Sequence, residues 1–223
     1  MVAVSPDFAG KPRTSALLDS RLAAHGSAAQ PYFASPELLR GEHSPRNLAD
    51  AVYFLCALHG LHPGVIDQAA ERCAEPEARA WLQRSAAAFA TERRFLAALA
   101  VAVGPVPRTP GGGASETAVA AQRSALATLA GSERRGCALG AAIGLVADWR
   151  AIRSVLDIAA RRLAIEPPPL ELSARDEVIE LAESFAGESA HERALLFGAE
   201  QLLVQHHGLW ALLEAREQAR RGV

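Results

Sequence analysis

The sequence predicts an all-α protein, a single-domain bundle of about six to eight helices with long central helices. Three observations predict it. Hydrophobic residues make up 50% of the 223-residue chain and aromatics only 5%. Such a core is built mainly from Ala and Leu, which suits close-packed helices better than the Val-, Ile-, Thr- and Tyr-rich faces of a sheet. Apolar residues also recur at steps of three and four along several long stretches, while no stretch shows the alternation of a strand. Proline and glycine clusters then cut the chain into segments of helical length.

Taken in order, residues 1–13 lack an apolar period and are expected to form a flexible N-terminus, leaving a bundle domain over 14–223. A first helix is expected over Thr14–His25, with Leu17, Leu18, Arg21 and Leu22 on one face. Gly26, Pro31, Pro36 and Gly41 make 26–43 a loop with one helical turn at Pro36–Arg40. Ser44-Pro45 reads as a hydroxyl cap followed by a first-turn proline. The helix it starts runs to His59, placing Leu48, Val52, Leu55 and His59 on one face. Gly60 and Pro63 stop it, a shorter helix covers Pro63–Ala74, and Pro76 opens a long one over Glu77–Val103. The Pro/Gly-rich stretch 104–114 is expected to be a surface loop within the domain, lying near the mouth of a site. Ser115 is expected to cap a helix to Ala130. The next helix, Glu133–Ala164, carries Gly136, Gly140 and Gly144. Three consecutive prolines stiffen 166–173, and a helix over Ala174–Ala186 leads into the last one, from Glu188 to Arg220. That final helix stacks Leu195, Ala199, Leu202, His206, Leu209 and Leu213 on one face, with Leu196, Leu203 and Trp210 beside them. A helix apolar over so much of its girth belongs inside a bundle or in a subunit interface, and a homodimer is expected.

Composition excludes several function classes. The formal charge of −2 and the short, scattered Arg pairs offer no basic surface for nucleic acid. Lys11 is the single lysine, which removes nearly every candidate for Schiff-base chemistry. Cys56, Cys73 and Cys137 are odd in number and far apart, arguing for a reduced, cytoplasmic setting rather than a disulfide framework. The N-terminus lacks the apolar core of a signal peptide, and no charge-free run reaches a membrane-spanning length of about 18 residues. Gly-rich phosphate loops and a nucleophile elbow are likewise missing from the pattern.

A few ionisable groups fall on core-facing stripes. Glu92 shares a face with Trp81, Ser85, Ala88, Phe95 and Leu99, so its carboxylate is expected to turn inward, as a functional group or as the partner of an arginine. Gly136, Gly140 and Gly144 form a ridge ending one turn before Asp148. Each glycine costs about 1 kcal/mol against alanine in a helix. The ridge therefore implies either backbone-close helix packing or a flat cofactor lying over Gly140, Gly144 and Asp148. His206 continues the main stripe of the last helix, while Glu200 and His207 share its second stripe. Glu92, Glu200, His206 and His207 are the candidate metal ligands, since neutral imidazole and carboxylate are common donors. His59 and His62 bracket a helix end.

Glu188-Ser189-Ala190-His191 supplies one Glu-x-x-His, and on it the bundle resembles the ferritin-like di-iron proteins, which use two such motifs. The segment GCALGAAIGLVAD loosely resembles the glycine-bearing helix of the haem-oxygenase-like fold, with His25, His43 and His59 available as axial ligands. SERRGCALGAAIGLVADWRAIRSVLDIAARRL resembles an uncharacterised bacterial family of helical proteins over the C-terminal half, and this implies no activity. The leading reading is thus a non-catalytic module that binds a small apolar ligand or a protein partner, with no cofactor favoured. The alternative is a metal- or haem-dependent enzyme of ferritin-like or haem-oxygenase-like architecture, with iron or haem as cofactor, in which Glu92, Asp148 and His206 converge.

Overall fold

The computed structural model describes residues 13–185 and 189–222, and among them the only regular structure is helical. Nine α-helices follow one another: α1 (Thr14–His25), α2 (Pro36–Leu39), α3 (Ser44–His59), α4 (Val65–Arg72), α5 (Pro76–Val103), α6 (Gly112–Ala130), α7 (Cys137–Arg162), α8 (Arg175–Ser184) and α9 (Ser189–Arg221). Two short 3₁₀ turns, Ser27–Ala29 and Pro31–Ala34, sit between α1 and α2. The expected flexible N-terminus lies outside the described residues, apart from Arg13.

Most boundaries fall where proline and glycine place them, but three starts differ from expectation. Ser44 does not cap α3. His43 occupies the cap position without a side-chain bond, and the Ser44 hydroxyl is buried with no partner among the described residues. Ser115 does not cap α6 either, since the helix begins three residues earlier at Gly112. Gly136 is the cap of α7 at φ 93°, so only Gly140 and Gly144 of the ridge lie within the helix.

Every residue of α7 from Leu139 to Trp149 is buried, because the helix touches every other α-helix longer than one turn. Its most extensive partner is α9. The seam between them is made by glycine. A Cβ on Gly140 would overlap the Leu195 carbonyl, and a Cβ on Gly198 would overlap that of Cys137. The two backbones therefore approach as closely as the missing side chains allow, which adds dispersion contacts that larger residues would prevent. This is the helix-packing cause of the ridge: α9 occupies the face on which a flat cofactor would have lain. The expected apolar face of α9 is buried throughout, and its girth is covered by α7, α1 and α6 within the chain itself.

Two buried ion-pair networks pin the periphery. Glu92 on α5 accepts from Trp149 Nε1 at 2.9 Å and from Arg153 Nη1 at 2.6 Å, while Arg153 also donates to Asp157 and to the Pro168 carbonyl. The Pro-rich connector is thus fastened to α7. At the other end, Asp50 accepts from Arg216 and Arg220, and both arginines also reach Thr109. Those bonds hold the loop before α6 against α3 and α9.

Candidate functional site

The sequence stripe of α3 ends at His59, that of α9 passes through His206, and the buried run of α7 ends near Asp148. The bundle brings the three together. His206 Nδ1 lies 2.7 Å from Asp148 Oδ2, and His206 Nε2 lies 2.9 Å from His59 Nε2. Asp148 also accepts the Ser27 backbone N–H on Oδ1 at 2.9 Å and the Ser27 hydroxyl on Oδ2, the oxygen that faces His206, at 2.5 Å. A single file of hydrogen bonds, Ser27–Asp148–His206–His59, therefore runs through the core. His206 is 0%, Asp148 4% and His59 5% exposed.

The electrostatics of the file follow from its partners. Burial opposes ionisation of Asp148, but the hydrogen bond from His206, the attraction to its imidazolium form and two bonds from Ser27 outweigh it. Its carboxyl is held below the usual aspartate range. A carboxylate only accepts, so His206 carries its proton on Nδ1. Burial, and then the repulsion that a cation on His206 would add, push His59 well below the ordinary histidine value and keep it neutral. The His59 ring is held edge-on against Trp149, Phe89 and His206 at centroid distances of 5.6, 6.3 and 5.0 Å. Trp149 is itself anchored by Glu92. Such support fixes the imidazole orientation, as outer-sphere partners do around metal-bound and catalytic histidines.

His59 also lines a cleft of about 300 Å³ between the α3–α4 turn and α4, α5, α6 and α7. Leu61, Val65, Phe89, Leu126 and Leu145 make it apolar, while Gln68 and Arg123 supply polar groups. No described residue donates to or accepts from the remaining ring nitrogen, Nδ1. A larger depression of about 660 Å³ lies by Glu75, Arg135 and His191, but there Arg135 and Glu75 neutralise each other at 2.6 Å. None of the residues that line that depression belongs to the buried file.

The other candidates are placed elsewhere. Glu92 faces Trp149 and Arg153 rather than the Asp148–His206 pair, so it is the partner of an arginine. Glu200 sits half-exposed beside Arg21 at 2.9 Å and His25 at 3.8 Å. His207 is half-buried, with Nδ1 unpartnered among the described residues. Gly140 and Gly144 face the backbone of α9. No three His, Cys, Asp or Glu side chains among the described residues are grouped to hold a metal ion. Glu188 of the Glu-x-x-His motif lies outside the described residues. The 104–114 loop is tied near Asp50, nine residues before His59, and so lies about 13 Å along α3 from the cleft. Ser27 was not legible as a site residue, because a loop serine after a glycine carries no periodic signal.

A family model described as a family of unknown function, DUF6975, matches residues 22–221. The match extends well beyond the C-terminal half on which the likeness to an uncharacterised family rests. No curated protein and no solved structure matches the chain.

Proposed function

Because the chain belongs to this family of unknown function, no activity passes to it by relationship, and we propose from its geometry that it is a small-ligand-binding module whose site is the His59 cleft. The observation that carries the proposal is a buried imidazole, oriented by three ring neighbours, with one unpartnered nitrogen beside an apolar cleft. Pockets for small ligands are mostly apolar, with a few placed polar groups that set orientation. A buried polar file of this kind contributes little to stability beyond what apolar residues of equal volume would give, so a role at the cleft accounts for it better than packing does. The ligand class follows from the walls: a compact apolar or aromatic body, a group that hydrogen-bonds His59, and an anionic or electron-rich edge towards Arg123. The single domain and the cytoplasmic setting expected from the sequence belong to this proposal as well.

Titration with benzoate, followed by calorimetry and by perturbation of Trp149 fluorescence, tests it. Saturable binding is expected, weakened by Arg123→Glu and abolished by Ala127→Trp, which fills the cleft from α6. Binding that survives Ala127→Trp places the ligand elsewhere and sinks the assignment. A homodimer is a second reading on one observation: Phe197 and Val204, two turns apart on α9, are 43% and 39% exposed. Sedimentation of the wild type against Phe197→Arg decides it, and a monomer in both cases removes it.

A further inference from the structure

We infer that the cleft is also a site of general-base catalysis, in which His59 Nδ1 removes a proton from a bound apolar carbon or oxygen acid and His206, backed by Asp148, takes up the charge. The inference rests on the binding reading above and goes beyond it.

With both imidazoles neutral, the proton inventory has one direction. Asp148 accepts from His206 Nδ1–H, so in neutral His206 the other nitrogen, Nε2, carries a lone pair. Across the 2.9 Å contact, His59 must then donate its own Nε2–H. A neutral imidazole carries one ring proton, which leaves a bare lone pair on His59 Nδ1. That is the nitrogen no described residue occupies. Ser27 is not the nucleophile of a serine triad, because its hydroxyl donates to Asp148 instead of facing an imidazole.

When a bound acid gives its proton to His59 Nδ1, the Nε2 proton of His59 crosses to His206 Nε2. The electron pair of the broken C–H or O–H bond stays on the substrate, which becomes an anion or expels a leaving group. The positive charge ends on His206, 2.7 Å from the Asp148 carboxylate, and not on His59 beside the apolar wall. The reverse transfer returns the proton to product or water, so no further co-reactant is needed. Two imidazoles in series answer a specific problem. A histidine facing an apolar cleft is a poor base, since burial disfavours its cation. Exporting the charge by one residue places it where a carboxylate already waits, the same division of labour that an aspartate provides for the histidine of a hydrolase triad. Arg123 on α6 faces the cleft where the substrate anion develops. The other charged groups near His59 are internally paired: Arg93 with Asp67 at 2.8 Å, and His62 with Asp67 at 3.7 Å. Glu92 is screened from it by Trp149, to which it is bonded.

The probe is 5-nitrobenzisoxazole, a flat apolar carbon acid. A base removes its ring C–H proton, the N–O bond breaks, and a nitrile and a coloured phenolate form with no other reactant. The wild type is expected to turn it over, and His59→Gln to lower the rate by about 100-fold, a common contribution of a positioned base. His206→Gln and Asp148→Asn are expected to lower the rate and to move the midpoint of its pH profile, while fluorescence quenching still reports bound probe. Because these variants could unfold, a measurement on the wild type stands beside them: ¹⁵N resonances of the histidines at neutral pH. Opposite tautomers are expected, with His206 protonated on Nδ1 and His59 on Nε2, and the same tautomer in both rings overturns the relay. Probe that binds and reacts no faster than with His59→Gln overturns the catalytic inference and leaves the binding site standing. If neither the probe nor benzoate binds, both readings fall.

Discussion

At His59 the fold has made a histidine prefer neutrality, and that preference must appear in stability. The folded value lies below the ordinary one, so as pH falls the unfolded chain takes up a proton near pH 6.5, before the folded chain does. The contribution is therefore fully present above that pH and is lost as pH falls towards the folded value. Asp148 adds to the same trend at lower pH, because its folded value is depressed and its contribution disappears as its carboxylate is protonated. Burial and the neighbouring His206 shape this response. Denaturation midpoints measured at pH 8 and at pH 5.5 should show the wild type weakened at the lower pH, with a smaller difference in His59→Gln. Equal differences in the two proteins would locate the acid sensitivity elsewhere. At this scale the sequence was partly readable. The periodicity of α9 put His206 inside and that of α3 put His59 on an apolar face, since a helical period of 3.6 residues fixes faces from spacing alone. What spacing cannot fix is which faces meet. The pairing of His59 with His206 depends on how α3 and α9 cross, and Ser27 enters through an irregular turn.

At the scale of elements, the α5–α7 contact is organised by Glu92, which is 0% exposed and satisfied by Trp149 and Arg153. Removing one member of a buried ion pair leaves the other charged and unpaired. Glu92→Leu should therefore destabilise the fold by about 3 kcal/mol, whereas Glu92→Leu combined with Arg153→Met should recover most of that loss. A double-mutant cycle by urea denaturation measures it, and additive losses would mean that the pair is not coupled. The inward turn of Glu92 was legible from its stripe. Its partner was less so, because Arg153 belongs to a helix whose orientation is set by the glycine seam. Helix starts were the poorest guide. Ser44 and Ser115 carry the chemistry of caps, yet a residue that packs into the core cannot also fold back onto the free N–H groups of the first turn. Gly111 and Gly136, at φ 73° and 93°, open α6 and α7 instead.

For the molecule as a whole, α7 is the axis and α9 its nearest companion, although the two apolar stripes of α9 made it the more conspicuous helix in the sequence. The reason is physical. Glycine and alanine let backbones come together, so α7, which is also the more apolar of the two in composition, draws its neighbours in closely and becomes the more buried helix. Gly140→Ala should force α7 and α9 apart and cost about 3 kcal/mol, near the top of the usual range for overpacked cores. Gly144→Ala, where the added Cβ would stand 3.0 Å from the Ala199 carbonyl, should cost about 1 kcal/mol. Thermal denaturation of the two variants tests the order, and a smaller loss at Gly140 would contradict the seam. Contacts from α7 to all the longer helices also argue for one cooperative unit, despite the Pro/Gly-rich 104–114 stretch. Far-ultraviolet circular dichroism and tryptophan fluorescence should then report the same unfolding midpoint. Two separated midpoints would divide the chain into domains.

The glycine seam has a further effect once distance is considered in place of stability. Gly144 is one helical turn from Asp148 on α7, and Ala199 is two turns from His206 on α9. The gap between the carboxylate and the imidazole is consequently gauged by backbone touching backbone, with no flexible side chain in between to take up slack. A methyl group added at Gly144 would act as a shim, lengthening the Asp148–His206 hydrogen bond from a position that touches neither residue. A variant of that kind could keep its fold and its cleft while its pH response drifts towards that of Asp148→Asn.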